Sequence, residues 1–157
     1  MTEIPEEPGE RVRVVVSRVI EALGLDASVE VRESAEEIRA TVEGPDDMGR
    51  LIGRHGQTID ALQHLAWRAA FQEREERKTV VVDAAGYRRR REEALQRQAD
   101  RAASEALRFG RPVELEPMSA AERKTVHNYL ADRTDVETHS EGDEPDRRLV
   151  VSPLRPS

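Results

Sequence analysis

The sequence contains no cysteine among its 157 residues, and it has only one tryptophan, two tyrosines and two phenylalanines. The lack of cysteine excludes a disulfide scaffold, a thiolate zinc site and a cysteine nucleophile, and it is consistent with a reducing cytoplasm. No apolar run approaches the roughly 18 residues needed to span a membrane. The acidic start, MTEIPEEPGE, is unlike a signal peptide. These absences predict a cytoplasmic protein without membrane insertion.

Basic residues are scarce at both ends of the chain, and the net charge of -7 by itself argues against an anionic partner. Residues 1–10 carry four glutamates and no base, and residues 132–146 carry seven acids and one arginine. By contrast, residues 88–111 carry eight arginines against four acids. Local fields matter more than the sum of charges for binding. Because the middle of the chain is basic, nucleic acid is still a candidate partner despite the negative net charge.

Hydrophobic periodicity predicts a first α/β unit over residues 11–83, preceded by a disordered acidic tail over residues 1–10. Its elements follow the order α-β-β-α-α-β, with an antiparallel hairpin turning near Ser34. The predicted spans are a helix from Arg11 to Gly24, strands over 29–32 and 38–43, a short helix over 46–52, a helix from Gln57 to about Glu75, and a strand from Thr79 to Val82.

A second unit over residues 86–153 is predicted with the order α-β-α-β-β. Ser119 and Glu122 form a capping-box pattern, which indicates the start of its second helix. The predicted spans are Tyr87–Phe109, Val113–Leu115, a helix ending near Ala131, Thr134–His139 and Arg147–Val151. The fold class is therefore α+β, with two small adjoining modules that each contain a three-stranded sheet.

The stretch LIGRHGQTIDAL, residues 51–62, places Gly53 and Gly56 around Arg54 and His55 at the start of a helix. One interpretation is a tight turn. The other is a phosphate-binding loop, because glycine lets the backbone approach an anion closely and the helix start offers N–H groups near Gln57 and Thr58. Spacing alone leaves both interpretations open.

The same stretch, within its α-β-β-α-α-β frame, resembles the KH domain and its I-G-x-x-G-x-x-I signature. The resemblance implies that Gly53 to Gly56 clamps about four nucleotides of single-stranded RNA or DNA. Aromatic stacking surfaces are scarce near the loop, so little sequence specificity is expected. Trp67, well inside the long helix, is interpreted as a residue at the edge of the core.

Arg123 and His127 are four residues apart on the second unit's capped helix, so both can reach one phosphate. Alternatively, His127 lies at the edge of the core. The R-x-x-x-H pattern, inside an α-β-α-β-β unit, resembles the small single-strand-binding domain named for that motif. The resemblance implies that Arg123 and His127 contact nucleic acid, with Lys124 as a basic neighbour.

A KH domain followed directly by this second domain resembles the C-terminal arrangement of the bacterial Jag family, also called KhpB. Many members carry a further N-terminal domain, whose role cannot be transferred here. The resemblance implies an RNA-binding post-transcriptional regulator or RNA chaperone linked to cell growth, cell shape and the envelope. It also implies a small single-KH protein as a partner.

The run Arg88, Arg89, Arg90 and Arg91 has two interpretations, a solvated helix start or a candidate phosphate rail, meaning a row of cations along a nucleic-acid backbone. The histidines lack H-x-x-x-H and H-E-x-x-H spacing, and there is no phosphate-binding Walker loop. No catalytic residue, metal or cofactor is therefore expected. A remaining alternative is a protein-interaction module of KH fold that has lost nucleic-acid binding.

Overall fold

The computed structural model describes residues 3–154, and the first two residues of the predicted tail lie outside them. The chain divides into two compact units after Arg88. Both contain helices and a three-stranded sheet, which confirms the predicted α+β class. Within residues 3–154, no helix is both long and apolar enough to cross a membrane.

The first unit has the predicted order of elements. They are α1 Pro8–Ala22, β1 Ser28–Glu33, β2 Glu37–Glu43, α2 Gly49–Ile52, a 3-10 turn Arg54–Gly56, α3 Gln57–Phe71 and β3 Thr79–Ala84. Strand β2 is central, antiparallel to β1 and parallel to β3. Its alternating residues Ile38, Ala40 and Val42 are fully buried, and helices α1 and α3 contribute the rest of this core.

Two helices in this unit begin at residues other than those that periodicity predicts. Helix α1 begins at Pro8 rather than Arg11, so three residues of the predicted tail are helical. Proline is favoured in a first turn because its missing N–H is not needed there, and Gly9 is buried. Helix α2 begins at Gly49 rather than residue 46, because the carboxylate of Asp47 accepts the N–H of Gly49 in the turn before the helix.

The long helix α3 is shorter than predicted. It ends at Phe71 rather than near Glu75. Phe71 is fully buried, and the polar run that follows has no apolar residue to pack on the core.

The second unit also has the predicted order. Its elements are α4 Tyr87–Phe109, β4 Val113–Glu114, α5 Ala120–Leu130, β5 Val136–Glu141 and β6 Arg148–Pro153. The sheet order is β4-β6-β5 with antiparallel pairs, and the strands β5 and β6 extend two residues beyond their predicted ends. Ser119 caps α5 by accepting the N–H of Glu122, as predicted. A second core forms from α4, α5 and the sheet.

Candidate nucleic-acid interface

Gly53 joins α2 to the 3-10 turn in a conformation that only glycine adopts readily. Its φ is 75° and its ψ is 177°, a region essentially closed to residues with a side chain. A Cβ at this position would lie 2.2 Å from Oγ1 of Thr58 and 2.9 Å from the backbone nitrogen of Thr58. The backbone of the loop therefore passes directly against the first turn of α3.

Gly56 forms the other end of the loop and precedes α3 in a left-handed conformation, with φ at 78°. It is buried, and a Cβ there would lie 2.8 Å from Cε1 of Tyr87. The N–H of Gln57 donates to the carbonyl of Arg54. Gln57 therefore cannot offer that N–H to an anion, contrary to the expectation from sequence. The partial positive charge at the start of the α3 helix dipole still favours an anion beside the loop.

Arg54 and His55 project from the loop between the two glycines. Both side chains are exposed, and within residues 3–154 neither forms a hydrogen bond or an ion pair. The preceding Arg50 differs, since it donates to the carbonyl of Leu23 at 2.6 Å. The loop thus presents one cation and one imidazole to solvent at the positive end of a helix, an arrangement suited to an anion.

His55 itself has a left-handed backbone, with φ at 54° and ψ at 27°. This conformation costs about 1–2 kcal/mol for residues other than glycine, and it is worst for β-branched residues. We expect His55→Gly to leave the free energy of unfolding within about 1 kcal/mol of the wild type, because relief of strain offsets the added chain entropy. His55→Val should destabilise the fold relative to His55→Gly, measured by urea unfolding. Equal stabilities of the two variants would contradict the strained loop.

A pocket that the sequence did not indicate lies beside α3. Asp60, Gln63, His64 and Trp67 occupy one helix face at spacings of three and four, and Arg77, Lys78, Thr79 and Val80 close the pocket from the start of β3. Trp67 packs on the core edge, as predicted, and the guanidinium of Arg77 lies 5.4 Å from the centre of its ring. The arginine and the start of β3 are distant in sequence from the loop, so spacing could not reveal them.

In the second unit, Arg123 is buried, with only 7% of its surface exposed. Its guanidinium donates to the carbonyl of Met118 at 2.6 Å and to the carboxylate of Glu144 at 2.6 Å. These bonds tie α5 to the segment before it and to the turn between β5 and β6. The guanidinium thus donates to the protein's own acceptors, although Arg123 also lines the same pocket as Lys124 and His127. Contact between Arg123 and nucleic acid stays a prediction.

His127 and Lys124 are the exposed members of the predicted group on α5. Nδ1 of His127 lies 2.5 Å from Oγ1 of Thr138 on β5. Both residues line a shallow pocket together with His139, whose Nε2 lies 2.8 Å from the carboxylate of Glu141. The sequence places His139 twelve residues after His127 and on a different element, so it was missed. The pocket offers a lysine and two imidazoles, all able to donate hydrogen bonds to an anion when protonated.

The four consecutive arginines do not form a row. Successive helical residues are about 100° apart around the axis, so a run of four faces several directions. Arg88 donates to Asp60 at 2.8 Å and to the carbonyl of Val82. Arg91 pairs with Glu122 through two hydrogen bonds, and Arg89 pairs with Glu93. The guanidinium groups of Arg88 and Arg91 thus bind acceptors within the protein rather than facing solvent, which argues against the phosphate rail.

Comparison with known proteins agrees with the two-unit organisation. Residues 10–83 match the KH domain of KhpA and KhpB, and residues 93–153 match the domain that is named for the R-x-x-x-H motif. "RNA-binding protein KhpB" of Bacillus subtilis is 32% identical over 151 residues, which cover 95% of this chain and 72% of that protein. The chain belongs to the KhpB family. The resemblance drawn from the sequence is thereby confirmed.

Two further KhpB proteins show the extent of the similarity. The KhpB of Clostridium symbiosum is 38% identical over 130 residues, covering 83% of this chain and 58% of that protein. The KhpB of Streptococcus pneumoniae serotype 2 is 31% identical over 146 residues, covering 93% of this chain and 44% of that protein. The chain therefore spans about half of these two relatives. These relatives are named as RNA-binding proteins.

Proposed function

We propose that this KhpB-family protein binds single-stranded RNA, mainly through the sugar-phosphate backbone. The observation that carries the proposal is the Gly53–Gly56 clamp, where Arg54 and His55 are exposed beside the positive end of α3 and have no partner within residues 3–154. A loop that must approach α3 this closely and that tolerates strain at His55 suits contact with a ligand. The names of the relatives, which are RNA-binding proteins, support RNA as that ligand.

The pocket beside α3 would receive the bases that follow the clamped phosphates. Gln63 offers its side-chain NH2, since its carbonyl oxygen already accepts the N–H of Val82, and His64 offers its ring nitrogens. The Trp67 ring, with Arg77 beside it, offers a limited stacking surface. One partly buried ring gives little base discrimination, which supports low sequence specificity. In the second unit, Lys124 and His127, with His139, would contact further phosphates, while Arg123 holds the pocket in shape.

In the cell, such backbone-directed binding suits a cytoplasmic post-transcriptional regulator or RNA chaperone. A connection to cell growth, cell shape and the envelope follows from the family resemblance. A small single-KH protein is the proposed protein partner, as the family resemblance implies. Identification of the RNA crosslinked to the protein in cells would define the targets.

The clamp can be tested by Arg54→Asp combined with His55→Asp. We expect the affinity for a single-stranded RNA oligomer to fall at least about ten-fold, because the change places two carboxylates against the phosphates. The matched control is Arg18→Asp with Gln72→Asp, which alters the net charge equally at exposed positions outside the loop. Fluorescence anisotropy of a labelled oligomer measures the affinity, and circular dichroism checks the fold.

Salt titration adds a second test of the same clamp. Contact of the clamp with about four phosphates predicts that the clamp alone contributes about -3 to the log–log slope, at roughly -0.7 per phosphate for single strands, and that the clamp variant loses this share. If the clamp variant and its control bind equally well, the assignment of the loop is wrong. A wild type that shows no RNA binding would instead favour the alternative of a protein-interaction module.

A further inference from the structure

The exposed side of α4 carries a line of arginines that is distinct from the 88–91 run. Arg97, Arg101 and Arg108 are four and seven residues apart, which places them on one face of the helix. The buried residues of α4 occupy the opposite face: Leu95, Ala99, Ala102, Ala103 and Ala106. At about 1.5 Å per residue, the line extends about 16 Å along the axis. Arg111 follows just after the helix, and we call these four residues the arginine stripe.

Within residues 3–154, no residue of the arginine stripe forms an ion pair or a side-chain hydrogen bond, although acids outnumber bases in the chain. The neighbouring acids on α4 include Glu93, Asp100 and Glu105. Glu93 pairs with Arg89. Asp100 accepts the hydroxyl of Tyr129 at 2.9 and 3.1 Å, a hydrogen bond that raises the pKa of Tyr129. Glu105 lies within one helical turn of Arg101 and Arg108 but forms no ion pair with either among residues 3–154. The guanidinium groups of the stripe therefore have no direct carboxylate partner, although these acids lower the net positive charge of this helix surface.

Phe109 lies at the end of the stripe and is 54% exposed. The guanidinium groups of Arg108 and Arg111 each lie 5.3 Å from the centre of its ring. Cations at this distance hold an aromatic ring by cation–π attraction. The other phenylalanine, Phe71, is buried in the first core. The second unit thus presents a half-exposed phenyl ring at the surface, with two guanidinium groups near it.

A solvated helix face is the simplest explanation for exposed arginines, and a cation near a helix C-terminus is stabilised by the helix dipole. The dipole accounts for Arg108 but not for Arg97 and Arg101, which lie in the middle of α4. Single exposed apolar side chains are common on protein surfaces, but neither explanation accounts for a phenyl ring placed at the end of this row of cations. A row of solvent-facing cations that leads to an exposed ring is the combination that binds single-stranded nucleic acid, by phosphate contact and base stacking.

We propose that the arginine stripe and Phe109 form an additional RNA-binding surface on the second unit. The arginines contact phosphates, and one base stacks on Phe109 as Arg108 or Arg111 moves from the ring to a phosphate. The inference rests on the proposed function, because it requires that the protein binds RNA. It adds a site on the face of α4 opposite its core, formed by residues other than those of the clamp and of the His127 pocket. Unlike those sites, it includes an exposed phenyl ring as a stacking platform.

The test compares variants of the 157-residue chain on the same single-stranded oligouridine. Arg97→Gln, Arg101→Gln and Arg108→Gln combined should weaken binding on the order of ten-fold and reduce the log–log salt slope by about 2, at roughly 0.7 per phosphate contact. The control combines Arg32→Gln, Arg39→Gln and Arg148→Gln, which removes the same charge from arginines engaged with glutamates. This control should keep near-wild-type affinity and slope.

Phe109 is tested separately, with Phe109→Leu and Phe109→Trp. Loss of the ring should weaken binding roughly five-fold or more, while tryptophan should preserve it, because stacking needs an aromatic face. If the Phe109→Leu variant binds RNA as tightly as the wild type, Phe109 is not a stacking surface and this part of the proposal is wrong.

The remaining outcomes separate this proposal from the clamp. If the clamp variant loses RNA while the stripe variant matches its control, the stripe proposal fails and the proposed function stands. If the wild type binds no RNA, both fail. If the wild type binds polyglutamate as tightly as RNA through the arginine stripe, and Phe109→Leu has no effect on RNA binding, the proposal is overturned in favour of an acidic protein partner.

Discussion

Gly53→Ala is expected to destabilise the first unit by about 3 kcal/mol or more. The backbone at Gly53, with φ at 75° and ψ at 177°, costs about 1–3 kcal/mol for any residue with a side chain. In addition, the new Cβ would lie 2.2 Å from Oγ1 of Thr58 and 2.9 Å from its backbone nitrogen. Removal of the hydroxyl in a Gly53→Ala, Thr58→Ala double variant should recover only part of the loss, because the backbone contact remains.

Gly24→Ala is the matched control for Gly53→Ala. Gly24 has a similar positive φ of 67°, but a Cβ there meets no atom of the described residues within 4 Å. It should therefore cost about 1 kcal/mol, which is the conformational part alone. Urea unfolding followed by the fluorescence of Trp67, the single tryptophan and a residue of the first unit, measures both effects. Equal destabilisation by the two substitutions would show that α2 and α3 do not approach as closely as described.

Arg123→Met is expected to destabilise the second unit by about 3 kcal/mol. The substitution keeps an unbranched side chain but removes the donors to the carbonyls of Met118 and Arg147. A buried acceptor without a donor costs about 1–3 kcal/mol, and hydrogen bonds from a charged group contribute about 1.5–3 kcal/mol each. Loss of the Glu144 pair adds little, because that carboxylate is 59% exposed and stays hydrated.

Two neighbouring substitutions distinguish this structural role of Arg123 from direct RNA contact. Lys124→Gln should change stability by less than about 0.5 kcal/mol, because Lys124 is exposed, yet it should weaken RNA binding. Glu144→Gln should cost less than about 1 kcal/mol. Circular dichroism should reveal the Arg123→Met transition, while Trp67 fluorescence, which reports the first unit, stays unchanged. A stable Arg123→Met variant with reduced RNA affinity would restore Arg123 as a contact residue.

Most of the element order followed from the sequence, and α4 was predicted with its observed bounds. Gly86 and Gly110 flank a helical apolar pattern there, and both residues adopt a positive φ. The ends of α1 and α3 were less predictable. Gly9 joins the helix because it is buried, and α3 stops at Phe71 because the core ends there. Helix ends depend on tertiary packing when no strong capping residue marks them.

Some features of the candidate sites could likewise be predicted from the sequence, and others could not. The loop Gly53–Gly56 could be located from its glycines, because their conformational requirement is local. The burial of Arg123 could not be predicted from the sequence, because its hydrogen-bond acceptors belong to Met118, Arg147 and Glu144, up to 24 residues away. The pocket beside α3 likewise needed the start of β3 to close it. Contacts between distant segments leave no periodic signal in the sequence.

The sequence by itself determined the two-unit α+β organisation, the glycine loop before α3 and the basic middle of the chain. Helical and strand periodicities are local properties, and so is the requirement for glycine at positions with unusual backbone angles. Both can therefore be inferred directly from the sequence. Only the tertiary structure decided which cations are available. It buried Arg123, engaged Arg88 and Arg91 in ion pairs, and left Arg54 and the arginine stripe in solvent. The availability of a charge depends on which distant acceptors folding brings to it.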